Sequence, residues 1–370
     1  MSRSESRSES LDEAQVQAAL KELVDPNTGK DFVTTRSVRN VKVSGGDVSL
    51  EIELGYPGKS QFDPIRRQVL AKLRALPGAT NVSVSVASKV VSHAVQRGVK
   101  LIPGIKNIIA VASGKGGVGK STTAANLALA LAGEGASVGM LDADIYGPSQ
   151  PTMLGISGRP ESKDGKGLEP MEGHGIQAIS IGFLIDVDTP MVWRGPMVTQ
   201  ALEQLLKETR WRDIDYLIVD LPPGTGDIQL TLAQKVPVTG AVIVTTPQEI
   251  ALLDARKGLK MFEKVGIPIL GIVENMSTHV CSHCGHEENI FGTGGAERMG
   301  AEYAVEVLGR LPLDMAIREQ TDSGKPTVVA DPDGRVAEIY RSIARRCAVK
   351  IAESQKDMTA KFPNIVVQNT

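Results

Sequence analysis

The chain has 370 residues, 41% of them hydrophobic and 23% charged, the balance of a folded globular protein with room for one large and one small domain. Its formal net charge of −2 provides no basic footprint, which argues against nucleic acid or an acidic membrane as the main partner. Three cysteines (Cys281, Cys284 and Cys347) are too few and too unevenly placed for a disulfide framework; they fit a reducing cytoplasm, where a close pair serves metal or redox chemistry.

Residues 1–10 alternate Ser, Arg and Glu, with neither the apolar stretch of a signal peptide nor the acid-poor composition of a transit peptide, and predict a disordered tail. Residues 11–88 predict helix, strand, strand, helix, strand. The helix covers Leu11–Leu23, and the strands Val38–Val43 and Val48–Leu54 flank the turn Ser44-Gly45-Gly46-Asp47. Pro64 opens a helix carrying Ile65, Val69 and Leu73, Pro77-Gly78 ends it, and Val82–Val86 alternates as a strand. That is a small α+β domain. Residues 89–104 read as a linker ending at Pro103-Gly104, 105–355 as the main domain and 356–370 as a polar C-terminal tail.

Within the main domain, apolar strands alternate with helical stretches: Ile108–Ala112, Ser137–Leu141, Tyr216–Asp220, Ala241–Thr245 and Ile269–Val273. β-Branched runs separated by helices predict an α/β fold with a mostly parallel, doubly wound sheet buried on both faces. No window carries the apolar run of a membrane span.

The first of these strands runs into Gly114-Lys115-Gly116-Gly117-Val118-Gly119-Lys120-Ser121-Thr122, and a helical stretch follows. Strand, G-x-x-x-x-G-K-[ST], helix is the phosphate-binding loop of a P-loop NTPase. Its glycines let backbone N–H groups turn toward phosphate oxygens, and the helix N-terminus adds positive potential. Lys120 would reach the β- and γ-phosphates of ATP, and the Ser121 hydroxyl would ligate Mg²⁺. Asp220 ends an apolar strand and is the second magnesium candidate, through water. Asp144, in Asp142-Ala143-Asp144, is placed to orient the attacking water. Gly224, in Leu221-Pro222-Pro223-Gly224-Thr225-Gly226-Asp227, could offer its N–H to the γ-phosphate. Each aspartate taken alone could instead be a cap or turn residue.

Cys281-Ser282-His283-Cys284 places two thiols at a spacing that suits zinc, an iron–sulfur cluster or dithiol redox chemistry. His279, His283 and His286 could complete a zinc site within one chain. Alternatively, a two-fold axis could bring two cysteines from each of two chains to one centre.

The early lysine, Lys115, resembles that of the deviant Walker A loop in the MinD/Mrp/nitrogenase-iron-protein class. This implies that it reaches the nucleotide of a facing protomer in a homodimer. Asn275, at the end of the Ile269–Val273 strand, would by the same resemblance hold adenine; a strand-end cap is the plainer reading. The loop, Asp142–Ser149, Trp193-Arg194-Gly195-Pro196-Met197, Asp220–Asp227 and the cysteine pair together resemble the Mrp/ApbC family of iron–sulfur cluster carrier ATPases, over Ile105–Ala352. The resemblance implies a homodimer that holds a [4Fe–4S] cluster on Cys281 and Cys284 of both protomers. Such a dimer would receive the cluster from scaffold or donor proteins and pass it to apo-proteins, with ATP hydrolysis coupled to loading or delivery. Residues 11–88 resemble the SufT/PaaD-type adaptor domain, Asp25-Pro26 matching its Asp-Pro turn, although this stretch has no cysteine.

Two other readings are a MinD/ParA-like positioning ATPase and an ATPase with a structural zinc at the cysteines. The first would use the helical stripe Ile339, Ile343, Cys347, Ile351 and its neighbouring arginines on a membrane. That stripe reads more readily as a core-packing face.

Overall fold

The computed structural model describes residues 11–93, 95, 99–184, 195–281 and 283–360. The tail expected at 1–10, Trp193, Arg194, Ser282 and the C-terminal residues 361–370 lie outside them. The chain divides into two compact units, 1–90 and 91–370.

In the first unit, helix α1 (Glu13–Lys21) starts at Asp12, whose carboxylate accepts the Gln15 N–H at 2.8 Å while the Gln15 side chain accepts the Asp12 N–H at 3.0 Å. This reciprocal cap satisfies two donors that a first helical turn leaves orphaned. Strands β1 (Val38–Ser44) and β2 (Asp47–Leu54) pair antiparallel. After helix α2 (Phe62–Arg74) the chain returns as β3 (Val82–Ser88), parallel to β2. Val48, Leu50, Ile52 and Leu54 alternate inward along β2 and share a core with Val16, Leu20, Ile65, Val69 and Leu73 of the helices. The buried Asp25 has the Tyr56 hydroxyl 2.8 Å from both carboxylate oxygens, which pins the turn at Asp25-Pro26.

The second unit is built on an eight-stranded sheet. In chain order its elements are β4 (Ile105–Ala112), α3 (Lys120–Gly133), β5 (Val138–Asp142), α4 (Gln150–Met153), β6 (Met171–Gly173), β7 (Ile176–Ser180), α5 (Gly195–Glu208), β8 (Ile214–Asp220), α6 (Asp227–Lys235), β9 (Gly240–Thr245), α7 (Glu249–Lys264), β10 (Ile269–Glu274), the short hairpin β11 (His279–Val280) and β12 (Glu287–Glu288), α8 (Gly295–Tyr303), β13 (Val307–Arg310), α9 (Met315–Asp322), α10 (Thr327–Ala330) and α11 (Arg335–Ala360). The spatial order is β13-β10-β9-β4-β8-β5-β7-β6, and every pairing is parallel except β6 with β7. Val111 faces Asp220 across β4 and β8, and Asp142 faces Asp220 across β5 and β8. Parallel pairing therefore gathers the carboxyl ends of these strands along one edge, where open α/β sheets bind their ligands.

Helix α3 is apolar nearly all round, from Ala124 to Leu131, because the sheet covers one side and α11 the other. On α11 the stripe of Ile343, Cys347 and Ile351 is buried, and Arg345 donates to the buried Glu134 at 2.6 Å. The stripe is a packing face. Helix α11 also continues to Ala360, past the 355 boundary drawn from the sequence.

Candidate nucleotide site and cysteine hairpin

The phosphate-binding loop bridges β4 and α3 by way of two left-handed glycines, Gly117 and Gly119, each with φ +81°. At Gly119 a Cβ would also lie 2.1 Å from the Asn275 amide nitrogen, so any other residue would strain the backbone and push Asn275 aside. The first loop glycine is fixed by packing instead: a Cβ on Gly114 would lie 2.1 Å from the Asp254 backbone of α7. The loop lines a cavity of about 230 Å³ together with Ser113, Lys115, Ser121, Asp144 and Ser149. A larger opening of about 400 Å³ in the first unit, beside Lys42 and Arg74, has no such loop.

Behind the cavity, side chains join the loop to the strand ends. Lys120 is 6% exposed and forms a short ion pair with Asp220, which is fully buried. The Lys120 amine also donates to Ser121 Oγ at 3.1 Å. Asp142 accepts from the Gln150 N–H (3.2 Å), the Asp144 N–H (3.2 Å) and the Ser180 hydroxyl (3.0 Å). Burial, and the Asp220 carboxylate facing it, raise its pKa above the usual carboxylate range. Burial raises Asp144 as well, with Lys120 opposing and Asp220 adding to the shift. A carboxylate made more basic at the cavity wall suits the handling of a water molecule.

Two expected ligands have other engagements here, and a third stands free of any ion pair among the described residues. The Gly224 N–H donates to the Ser113 carbonyl at 3.0 Å, so it can meet a γ-phosphate only after the loop shifts. Asn275 donates its side-chain amide to the Val118 carbonyl at 2.9 Å and accepts the Met276 N–H at 2.9 Å, which braces the phosphate loop. Lys115 is half-buried at the rim and has no carboxylate at ion-pair distance among the described residues. Gly195 of the Trp193–Met197 segment opens α5, and Met197 is exposed.

The cysteines sit at the turn of the β11–β12 hairpin, just beyond the carboxyl end of β10 and so on the same edge of the sheet. The Cys281 N–H donates to the His286 carbonyl and the Gly285 N–H to the Cys281 carbonyl, both at 2.9 Å, closing a tight knuckle. Cys281 is partly exposed and Cys284 is exposed. The Cys284 N–H first, then the His283 N–H and the Cys284 thiol, stabilise negative charge on the Cys281 sulfur and hold its pKa below the ordinary thiol value. His279 is turned away, its Nδ1 lying 3.2 Å from the Leu313 carbonyl, and His283 and His286 are exposed. Among the described residues no third His, Cys, Asp or Glu joins the pair in a metal-binding group. Cys347 is buried on α11, and burial pushes its thiol up to about 12. At pH 7–8, iodoacetamide should modify Cys281 and Cys284 in the native protein and Cys347 only after unfolding, at a rate about 10²-fold lower before it. Peptide mass spectrometry checks this; rapid native labelling of Cys347 would contradict its placement.

Both units resemble known proteins. Residues 104–348 match the family model described as NUBPL iron-transfer P-loop NTPase, and residues 13–86 match the model described as iron-sulfur cluster assembly protein. The iron-sulfur cluster carrier protein of Escherichia coli is 50% identical over 339 residues, which cover 91% of this chain and 92% of that protein. The protein of the same name from Pseudomonas fragi is 60% identical over 271 residues, 73% of this chain and 94% of its own. Among solved structures, a nucleotide-binding protein of Archaeoglobus fulgidus in complex with ADP shares 39% identity at a TM-score of 0.55, covering 62% of this chain and 90% of its own. This chain belongs to the iron–sulfur cluster carrier family of P-loop NTPases.

Proposed function

We propose that the chain binds and hydrolyses ATP and, as a homodimer in the cytoplasm, carries a [4Fe–4S] cluster that it accepts from scaffold or donor proteins and delivers to apo-proteins. The observation that carries the shared-cluster reading is the cysteine knuckle, which offers two exposed or partly exposed sulfurs, one with enhanced thiolate character, and no third ligand among the described residues. A cubane needs four ligands in its usual cysteine-bound form, so two copies of the hairpin supply the set.

On the nucleotide side, Lys120 exchanges Asp220 for the β- and γ-phosphates, and Asp220 is left to hold magnesium-bound water together with the Ser121 hydroxyl. The backbone of Gly114–Thr122 cradles the phosphates. Lys115 extends toward the nucleotide of the facing protomer, and Asp144 orients the attacking water. Magnesium, when bound with ATP, neutralises phosphate charge and supports in-line transfer to water. Gly224 leaves Ser113 for the γ-phosphate and returns after hydrolysis, which makes the segment from Asp220 to Asp227 sensitive to nucleotide state. Asn275 braces the phosphate loop and stands shortly before the cysteine hairpin in the chain, giving the nucleotide site a short route to the cluster site. Adenine binding by Asn275 would require its amide to leave Val118.

Transfer is the test. The anaerobically reconstituted protein, mixed with an apo-protein that takes a [4Fe–4S] cluster, should restore that acceptor's activity, and ATP should change the rate. An acceptor that remains inactive while the donor keeps its cluster would count against delivery.

A further inference from the structure

Two polar atoms at adjacent positions are buried without a hydrogen-bond partner among the described residues: the side-chain oxygen of Gln150, whose amide nitrogen reaches Ser121 and Asp220, and the hydroxyl of Ser149, which lines the nucleotide cavity. Such atoms are uncommon, because each forfeits water without replacement and so costs stability in the free protein. Gln150 is 1% exposed, and its amide orientation is set by its neighbours. Its nitrogen donates to the Asp220 carboxylate at 2.9 Å and to the Ser121 carbonyl at 3.0 Å, both of which can only accept. Oε1 must therefore be the free end. Ser149 occupies the position before α4 where a serine ordinarily caps the helix, yet its side chain makes no cap bond. It lines the cavity instead.

The chemistry of the missing partner follows from the atoms. A carboxamide oxygen accepts only, and a phosphate offers no proton, so neither nucleotide oxygens nor Asp220 can satisfy Oε1. A divalent cation's bound water is a strong donor, and Gln150 already touches both groups assigned to magnesium, Ser121 through its backbone and Asp220 through its side chain. We propose that Gln150 and Ser149 complete the outer shell of the nucleotide-borne magnesium, with Gln150 Oε1 and Ser149 Oγ each taking a hydrogen bond from metal-bound water. Gln150 is thereby a positioning residue. It holds Asp220 Oδ2 on one side and the hydrated cation on the other, so that Asp220 keeps its orientation once Lys120 has moved to the phosphates. This rests on the ATP-binding reading above.

The test is the magnesium dependence of nucleotide affinity, measured by titrating a fluorescent ATP analogue onto the full chain in EDTA and across a range of Mg²⁺. Gln150→Ala should leave affinity in EDTA unchanged and raise the Mg²⁺ concentration for half-maximal tightening by about 10-fold or more. Ser149→Ala should shift it by about fivefold, and should leave the melting temperature of the nucleotide-free protein unchanged or higher, since that hydroxyl has no partner to lose. Because Ser149→Ala removes no bond from the free fold, it keeps the test open if Gln150→Ala folds poorly. Wild-type magnesium dependence with neither variant shifted would overturn the assignment. So would a Ser149→Ala protein destabilised without nucleotide. A wild-type chain that binds no ATP analogue at any magnesium concentration would overturn the ATP reading itself.

Discussion

Lys120→Ala should lower ATP turnover on the order of 10²–10³-fold, because it removes a positioned cation from the charge that develops on the transferring phosphoryl group. The same change should destabilise the nucleotide-free protein by about 3–5 kcal/mol, since Asp220 then stays buried with the Gln150 amide as its remaining hydrogen-bond donor. The two effects separate in a double variant. Lys120→Ala/Asp220→Asn replaces the stranded carboxylate by a neutral amide and should recover most of the stability with none of the turnover. Urea unfolding and a phosphate-release assay measure the two quantities. An unchanged hydrolysis rate in the single variant would remove Lys120 from the active site.

Cys281→Ala/Cys284→Ala should bind no iron or sulfide on anaerobic reconstitution while nucleotide affinity stays within about twofold, because the hairpin contributes no side chain to the phosphate cavity. Each single variant should fail nearly as completely. A shared four-thiolate site that loses one cysteine per chain loses two of its ligands, and the remaining pair cannot satisfy the cluster. Joint loss of cluster and nucleotide binding would mean that the two regions are one site.

The parts of this molecule legible in its sequence are those whose signal is local. Ile108–Ala112 and Gly114–Thr122 announce strand and phosphate loop through continuous β-branched residues and glycine spacing, and the structure places them in β4 and the turn into α3. The strand expected at Ser137–Leu141 lies one residue later, at Val138–Asp142, since register depends on pairing with β7 and β8 rather than on local pattern. The β6–β7 hairpin has little signal in the sequence. Its strands are short, and its turn at His174-Gly175, with φ +51° and +79°, gives only a weak alternation to read. The β11–β12 pair was equally hidden, because Glu287 and Glu288 are charged and exposed and carry no apolar period.

Among the candidate ligands, what escaped the sequence is what depends on distant partners. Gln150 matters because Asp220, far along the chain, lies within 2.9 Å of it, and no spacing rule connects the two. Ser180 supports Asp142 for the same reason. Gly224 and Asn275 were readable as chain positions, but their present bonds to Ser113 and Val118 could come only from the folded loop.

If one cluster is shared by two chains, its iron and sulfide count per dimer shows it. The protein is purified and reconstituted without oxygen, and its iron, sulfide, zinc and molar mass in solution are measured on the same sample. Four iron and four sulfide per dimer is expected. One tightly held zinc per chain that iron does not displace, or a full cluster on a monomer, would contradict it.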